Sequence, residues 1–181
     1  MNKLKKSFAI KLAASLWFIT SCGMAQTCQV VLSRPEIDLG RQVAVADNET
    51  LFAQQQVTVT ADCADSSPVT LFVEGAPDDS GRYFLFGRKG IIKLMLLSAR
   101  YDDGAAALTV TTPLQAEQRI AAGQSVSLAP GSRISMPAAL ANDEKAHRLT
   151  LQLQLAFSAA GGETDTRDVT EMLSQIRFRA E

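Results

Sequence analysis

The side chains whose types and spacing could carry chemistry are few: Cys22, Cys28 and Cys63, a single histidine at position 147, and the carboxylate pairs Asp78-Asp79 and Asp102-Asp103. His147 lies in NDEKAHR, between two predicted strands and beside no nucleophile, and reads as an exposed loop residue rather than a general base. Both aspartate pairs sit next to glycines, where aspartate is ordinary turn chemistry, a simpler account than calcium binding. Gly87-Arg88-Lys89-Gly90 lacks the glycine spacing and the following helix that a phosphate loop needs. Arg177 and Arg179 share one parity of a C-terminal strand and read as a solvated face. No catalytic, metal or cofactor site is expected, and the chain does not read as an enzyme.

The cysteines are different, because of the segments that hold them. Cys28 opens CQVVLSRPEIDLG and Cys63 closes QQVTVTADC. In the second segment Val57, Val59, Ala61 and Cys63 share one parity, against Thr58, Thr60 and Asp62 on the other. That period of two is the mark of a half-buried strand. The first segment is also β-rich, and Pro35 restricts it to a sheet edge or an end, since proline has no N–H for a ladder. The reading is two strands joined by a Cys28–Cys63 disulfide. Closing a loop of about 35 residues should contribute roughly 3.5–4 kcal/mol on the chain-entropy model.

The first 25 residues look like a secretory signal. Lys3, Lys5 and Lys6 lead into an apolar run from about Leu12 to Ile19, and Gly23-Met24-Ala25 offers small-residue cleavage before Gln26. Ile19-Thr20-Ser21-Cys22 also matches a lipobox loosely, which would lipidate Cys22. Ordinary cleavage leaves an even pair of cysteines for an oxidising compartment, and that parity favours it. The segment removes four lysines and no acid, so the formal net charge of −1 becomes about −5 (−1 minus 4). A mildly acidic, exported domain has no general electrostatic pull toward nucleic acid. Residues 26–181 are then one domain's worth of chain.

Further strands are predicted at short intervals, with turn chemistry between them. Val69, Leu71 and Val73 alternate with Thr70, Phe72 and Glu74, and an aromatic run follows at Tyr83 to Phe86. IIKLMLLSARY puts Ile92, Leu94 and Leu96 on one face and Ile91, Met95 and Leu97 on the other, so that both faces are covered or one awaits a partner. Its period alone does not exclude a helix. Asp102-Asp103-Gly104 follows as a hairpin turn and Leu108 to Thr112 as its return strand. Val126 and Leu128 precede Pro130-Gly131, and Ile134 and Met136 follow. The cleanest alternation is Leu149, Leu151, Leu153, Leu155 and Phe157; a short helical turn is conceivable over 168–173. The chain ends with Ile176 and Phe178 facing opposite to Arg177 and Arg179. Many short strands at regular spacing indicate an all-β sandwich.

Taken together, these residues resemble pilin subunits of the bacterial chaperone–usher pathway. CQVVLSRPEIDLG resembles the opening of minor fimbrial subunits and of the pilin domains of tip adhesins. VSLAPGSRI resembles a late segment of the same group, and LSARYDDGAAALT its strand–turn–strand hairpin. The resemblance implies an immunoglobulin-like sandwich that lacks its final strand, with one disulfide and an apolar groove. A periplasmic chaperone, passed on at an outer-membrane usher, and then a neighbouring pilin subunit would each fill that groove with a strand. It also implies transit through the periplasm, a place in a fimbrium on the cell surface, a contribution to cell adhesion and a host receptor for some members. Cleavage before Gln26 leaves two residues ahead of Cys28. Two residues extend at most ~7 Å, too little to donate a strand, so a minor or distal tip position is expected. The alternative is a stand-alone exported or lipid-anchored sandwich that binds a carbohydrate or a host protein.

Overall fold

The computed structural model describes residues 28–39, 50–63, 69–87, 90–102, 104–136, 147–159 and 174–181. It is all-β over these residues. Twelve strands follow in chain order: β1 (Cys28–Leu32), β2 (Thr50–Cys63), β3 (Thr70–Gly75), β4 (Phe84–Phe86), β5 (Gly90–Tyr101), β6 (Gly104–Ala105), β7 (Leu108–Thr112), β8 (Gln115–Ile120), β9 (Val126–Leu128), β10 (Ser132–Ser135), β11 (His147–Ala159) and β12 (Ile176–Ala180). The signal segment and the helical turn expected over 168–173 lie outside the described residues, as do Arg88, Lys89 and Asp103.

The strands form two antiparallel sheets. The first runs β1-β2-β11-β5-β4, and β6 and β9 also pair with β5. The second runs β12-β3-β10-β7-β8. Strand β11 sits at the centre of the first sheet, and its alternation explains why: Leu149, Leu151, Leu153, Leu155 and Phe157 all point into the core, while Arg148 and Gln152 face solvent. Its partners obey the same rule, with Val57, Val59, Ala61 and Cys63 buried on β2 and Ile92, Leu94 and Leu96 on β5. The register of β5 against β11 shifts between Gln152 and Leu153, so Leu97 is an extra residue and the inward parity of β5 changes from even to odd at Ala99. Met95, on the opposite face from Leu94 and Leu96, is exposed.

The second sheet supplies Leu71, Val73, Leu108, Val110 and Ile134 to the same hydrophobic core. Each fully buried side chain of this size removes apolar surface worth about 1.5–3 kcal/mol from water. The far edge of β5 is covered by three short pieces in succession. Strand β4 pairs with Gly90–Ile92, β9 with Leu94–Leu96, and β6 with Arg100–Tyr101.

The chain crosses between the sheets at Ala129-Pro130-Gly131-Ser132. Ser132 N donates to Ala129 O at 3.0 Å, and Ala129 N donates to Ser132 Oγ at 2.9 Å. Pro130 at the second position and Gly131 at the third, with φ 82°, are what a type II turn requires. The turn is tied to the second sheet by a bond from Gly131 N to Val73 O.

One expectation needs correction, and one strand is new. Residues 108–112 are not the return strand of a hairpin with β5. Only Gly104 and Ala105 pair back on β5; the chain then crosses over, and β7 pairs with β8 and β10 in the second sheet. Burial of Ala106 and Leu108 draws it inward at that corner. Strand β8 is an addition: its residues up to Arg119 are exposed, so no burial wrote an alternation into QAEQRI.

Candidate functional site

The site is built from the first and last strands, β1 and β12. Cys28 and Cys63 are directly opposed in the β1–β2 register and are joined by the expected disulfide, with Cα atoms 4.2 Å apart. That separation belongs to a non-hydrogen-bonded antiparallel pair, in which the two residues turn their N–H and C=O groups away from each other. The bond from Ser33 N to Thr58 O at 2.9 Å sets the same phase one step beyond the strand. Gln29 and Val31 therefore use their backbone groups toward β2, whereas Cys28, Val30 and Leu32 turn theirs to the outer edge. Among the described strands β1 pairs only with β2.

Strand β12 repeats the arrangement at the edge of the other sheet. Thr70 and Glu181 exchange both backbone bonds, each at 2.9 Å, which makes them a hydrogen-bonded pair. Counting back along the register, Arg179 opposite Phe72 and Arg177 opposite Glu74 are of the same kind. Ile176, Phe178 and Ala180 turn their N–H and C=O away from β3, and among the described strands β12 has no second hydrogen-bonded neighbour. These three side chains are half-buried against the core, as are Cys28, Val30 and Leu32 on β1 and Ile37 and Leu39 just beyond it. Cα atoms of β1 and β12 approach within 8 Å.

The two edges thus combine outward-turned backbone groups with inward-turned, half-covered apolar side chains. An edge of this kind can accept an added strand: main-chain bonds supply affinity and the alternate side chains supply register.

The charged groups lie on the outward face beside this edge. Arg179 Nε is 3.3 Å from Glu74 Oε1, and Arg179 also bonds Glu181. Its guanidinium lies 4.8 Å from the centre of the Phe72 ring, and Arg133 lies 5.7 Å from the same centre. Arg177 donates to Gln175 Oε1 at 3.1 Å. A cleft of about 400 Å³ opens where β12 begins, with Glu74, Leu85, Gln175 and Arg177 among the residues that line it.

No family model and no curated protein matches this chain.

The remaining residues singled out from the sequence fall elsewhere. His147 begins β11 opposite Cys63, so its backbone belongs to a strand rather than to the loop before it. Asp78 closes the turn before β4: its Oδ1 accepts from Tyr83 N at 2.9 Å and its Oδ2 from Ser80 Oγ at 2.7 Å. Asp102 Oδ1 accepts from Arg148 N at 3.0 Å, tying the end of β5 to the start of β11. These carboxylates perform turn chemistry, and no group of three or more metal-ligating side chains gathers among the described residues. Phe84 is core and Tyr83 half-buried, with Lys93 Nζ 5.3 Å from the centre of its ring. The residues of the open edge carried only their period-2 pattern in sequence. Which of their backbone groups lack a ladder is set by the pairing of the other strand.

Proposed function

We propose that this chain is a structural subunit of a chaperone–usher fimbria, a minor or distal tip subunit, built as an immunoglobulin-like sandwich that a donated strand completes. The observation that supports this reading is the pair of edges, at β1 and β12, that no further described strand covers. The half-covered side chains of Val30, Leu32, Ile176, Phe178 and Ala180 point inward there, while their backbone groups point to the open side. A protein meant to stand alone blunts such an edge with short strands, charged side chains, proline, inward charges, a bulge or a covering segment. Both edge strands are five residues long, and β12 carries Arg177 and Arg179 on its outward face. Here the inward positions are apolar. A strand laid on the edge would satisfy the outward N–H and C=O groups and cover the apolar row. A periplasmic chaperone would do so first, in the periplasm, and a neighbouring subunit would replace it at the outer-membrane usher. The chain would be exported, pass through the periplasm and contribute to adhesion from the cell surface.

The test is expression in the periplasm with and without the cognate chaperone. The expected result is accumulation of a one-to-one complex with the chaperone and degradation or aggregation without it. An isolated chain that is monomeric and melts cooperatively at high temperature already has a complete fold, and that result overturns the proposal in favour of a stand-alone binding module.

A further inference from the structure

Arg177 and Arg179 both flank the open edge of β12, but they are not in the same state. Arg179 is bonded to Glu74 and Glu181 and lies over Phe72. Arg177 stands directly opposite Glu74 in register, yet the Glu74 carboxylate is taken by Arg179. Among the described residues Arg177 is held by the neutral amide oxygen of Gln175 and makes no ion pair. One cation of the edge is neutralised and the other is not.

The backbone decides what this cation meets. Ile176, Phe178 and Ala180 offer their N–H and C=O groups to the open side, so Arg177 and Arg179 fall at the non-hydrogen-bonded positions of any antiparallel strand laid there. At those positions opposed side chains approach most closely, with Cβ atoms about 4.5–5.5 Å apart. Strand β1, whose Cα atoms come within 8 Å of β12, carries Gln29 and Val31 on its outward face and adds no charge. Arg34, bonded to Gln55, and Glu36 and Asp38 stand beyond it on the segment that follows.

We propose that the strand taken up by this edge carries an acidic side chain on its outward face opposite Arg177, and that this pair helps set the strand's register. The inference rests on the reading of the edge as a strand acceptor. Register needs such help for a simple reason. A slip of one residue turns every apolar side chain to solvent and is forbidden by burial, but a slip of two restores the alternation. Apolar pockets of similar size separate two-residue slips poorly. A single carboxylate separates them, because among the described residues Arg177 has no acidic partner and Arg179, one step of two away, already has two.

Peptide capture tests this. Three ten-residue peptides share one apolar alternation on their inward positions and serine on the outward ones, except at a single central outward position that carries Glu, Ser or Lys. The chain is refolded by dilution from denaturant with equimolar mixtures, and mass spectrometry reads the ratio of peptides retained in the complex. An opposite-charge cross-strand pair contributes about 0.2–1 kcal/mol, so Glu should be retained about threefold over Ser, and Lys about threefold less than Ser. Arg177→Gln should equalise the three, while Arg177→Lys should keep the order. Equal retention by the unaltered chain, or a Glu preference that survives Arg177→Gln, overturns the inference and leaves the strand-acceptor reading standing. Retention of no peptide by the unaltered chain overturns that reading, and the inference falls with it.

Discussion

Phe178 stands directly opposite Val73 in the β12–β3 ladder, yet its own N–H and C=O are turned away from that strand. Its side chain packs toward the core with those of Ile176 and Ala180. The same residues therefore present both the apolar row and the outward backbone groups, which is the geometry an added strand needs.

Hydrogen exchange should read this alternation directly. The amides of Arg177, Arg179 and Glu181 bond to β3 and should be protected, whereas those of Ile176, Phe178 and Ala180 should exchange fast. Adding a strand-forming peptide should slow the second set selectively. Uniform protection along β12 before any peptide is added would mean that the edge is already covered.

The disulfide should be a major stabiliser. Cys28 and Cys63 close a loop with a sequence separation of 35, and reduction, or paired substitution by alanine, should lower stability by roughly 3.5–4 kcal/mol. Urea melts of the chain with and without reductant measure the loss. A change below about 1 kcal/mol would show that the β1–β2 pairing holds without the crosslink.

The sheet-crossing turn should be intolerant at Gly131. An alanine there must adopt φ 82°, and its Cβ would come within 3.0 Å of Pro113 Cγ. Gly123 has φ 80° but open space around it. Left-handed backbone costs a non-glycine residue about 1–2 kcal/mol, so Gly123→Ala should cost about that much and Gly131→Ala more. Equal losses by thermal melt would show that Pro113 moves aside freely.

Asp78 should contribute to stability in a pH-dependent way. Its partial burial works against the charged form, but hydrogen bonds from the Tyr83 N–H, the Ser80 hydroxyl and the Ser80 and Arg82 N–H groups outweigh it and hold its pKa below the ordinary carboxylate value. A depressed folded-state pKa gives stability that is fully present above the unfolded value of about 3.9. That stability is lost as pH falls through the folded value. Asp78→Asn should therefore be less stable than the unaltered chain at neutral pH, with the gap closing below about pH 4. A gap that stays constant from pH 7 to pH 3 would contradict this.

The core face should behave as a packed interior. Leu151 is fully buried at the centre of β11 between Val59 and Ala99. Leu151→Ala should cost about 2–5 kcal/mol, whereas Gln152→Ala, on the solvent face, should stay within about 0.5 kcal/mol. Comparable effects of the two would indicate that β11 is not central.

Much of this protein was legible in its sequence, because burial on one face of a strand imprints a period of two that needs no partner to be read. The Leu149–Phe157 run, Val57–Cys63 and Val69–Val73 each declared both their conformation and their buried face. The stretch from Ile91 to Leu97, apolar on both faces, instead took its conformation and buried face from its pairing with β11. The cysteines at the ends of two such segments declared the disulfide. Pro130-Gly131 marked a turn. Strand β8 was not legible, since it buries almost nothing, and the parity change at Leu97 was not, since a bulge is defined only against a partner strand. The tertiary structure alone decided which strands are neighbours. It sent β7 to the second sheet instead of back along β5, placed β1 and β12 at the edges of different sheets, and left the backbone groups of Phe178 facing outward. Pairing is a relation between segments far apart in the chain, and the side-chain pattern of each segment specifies which face is buried but not which strand lies beside it.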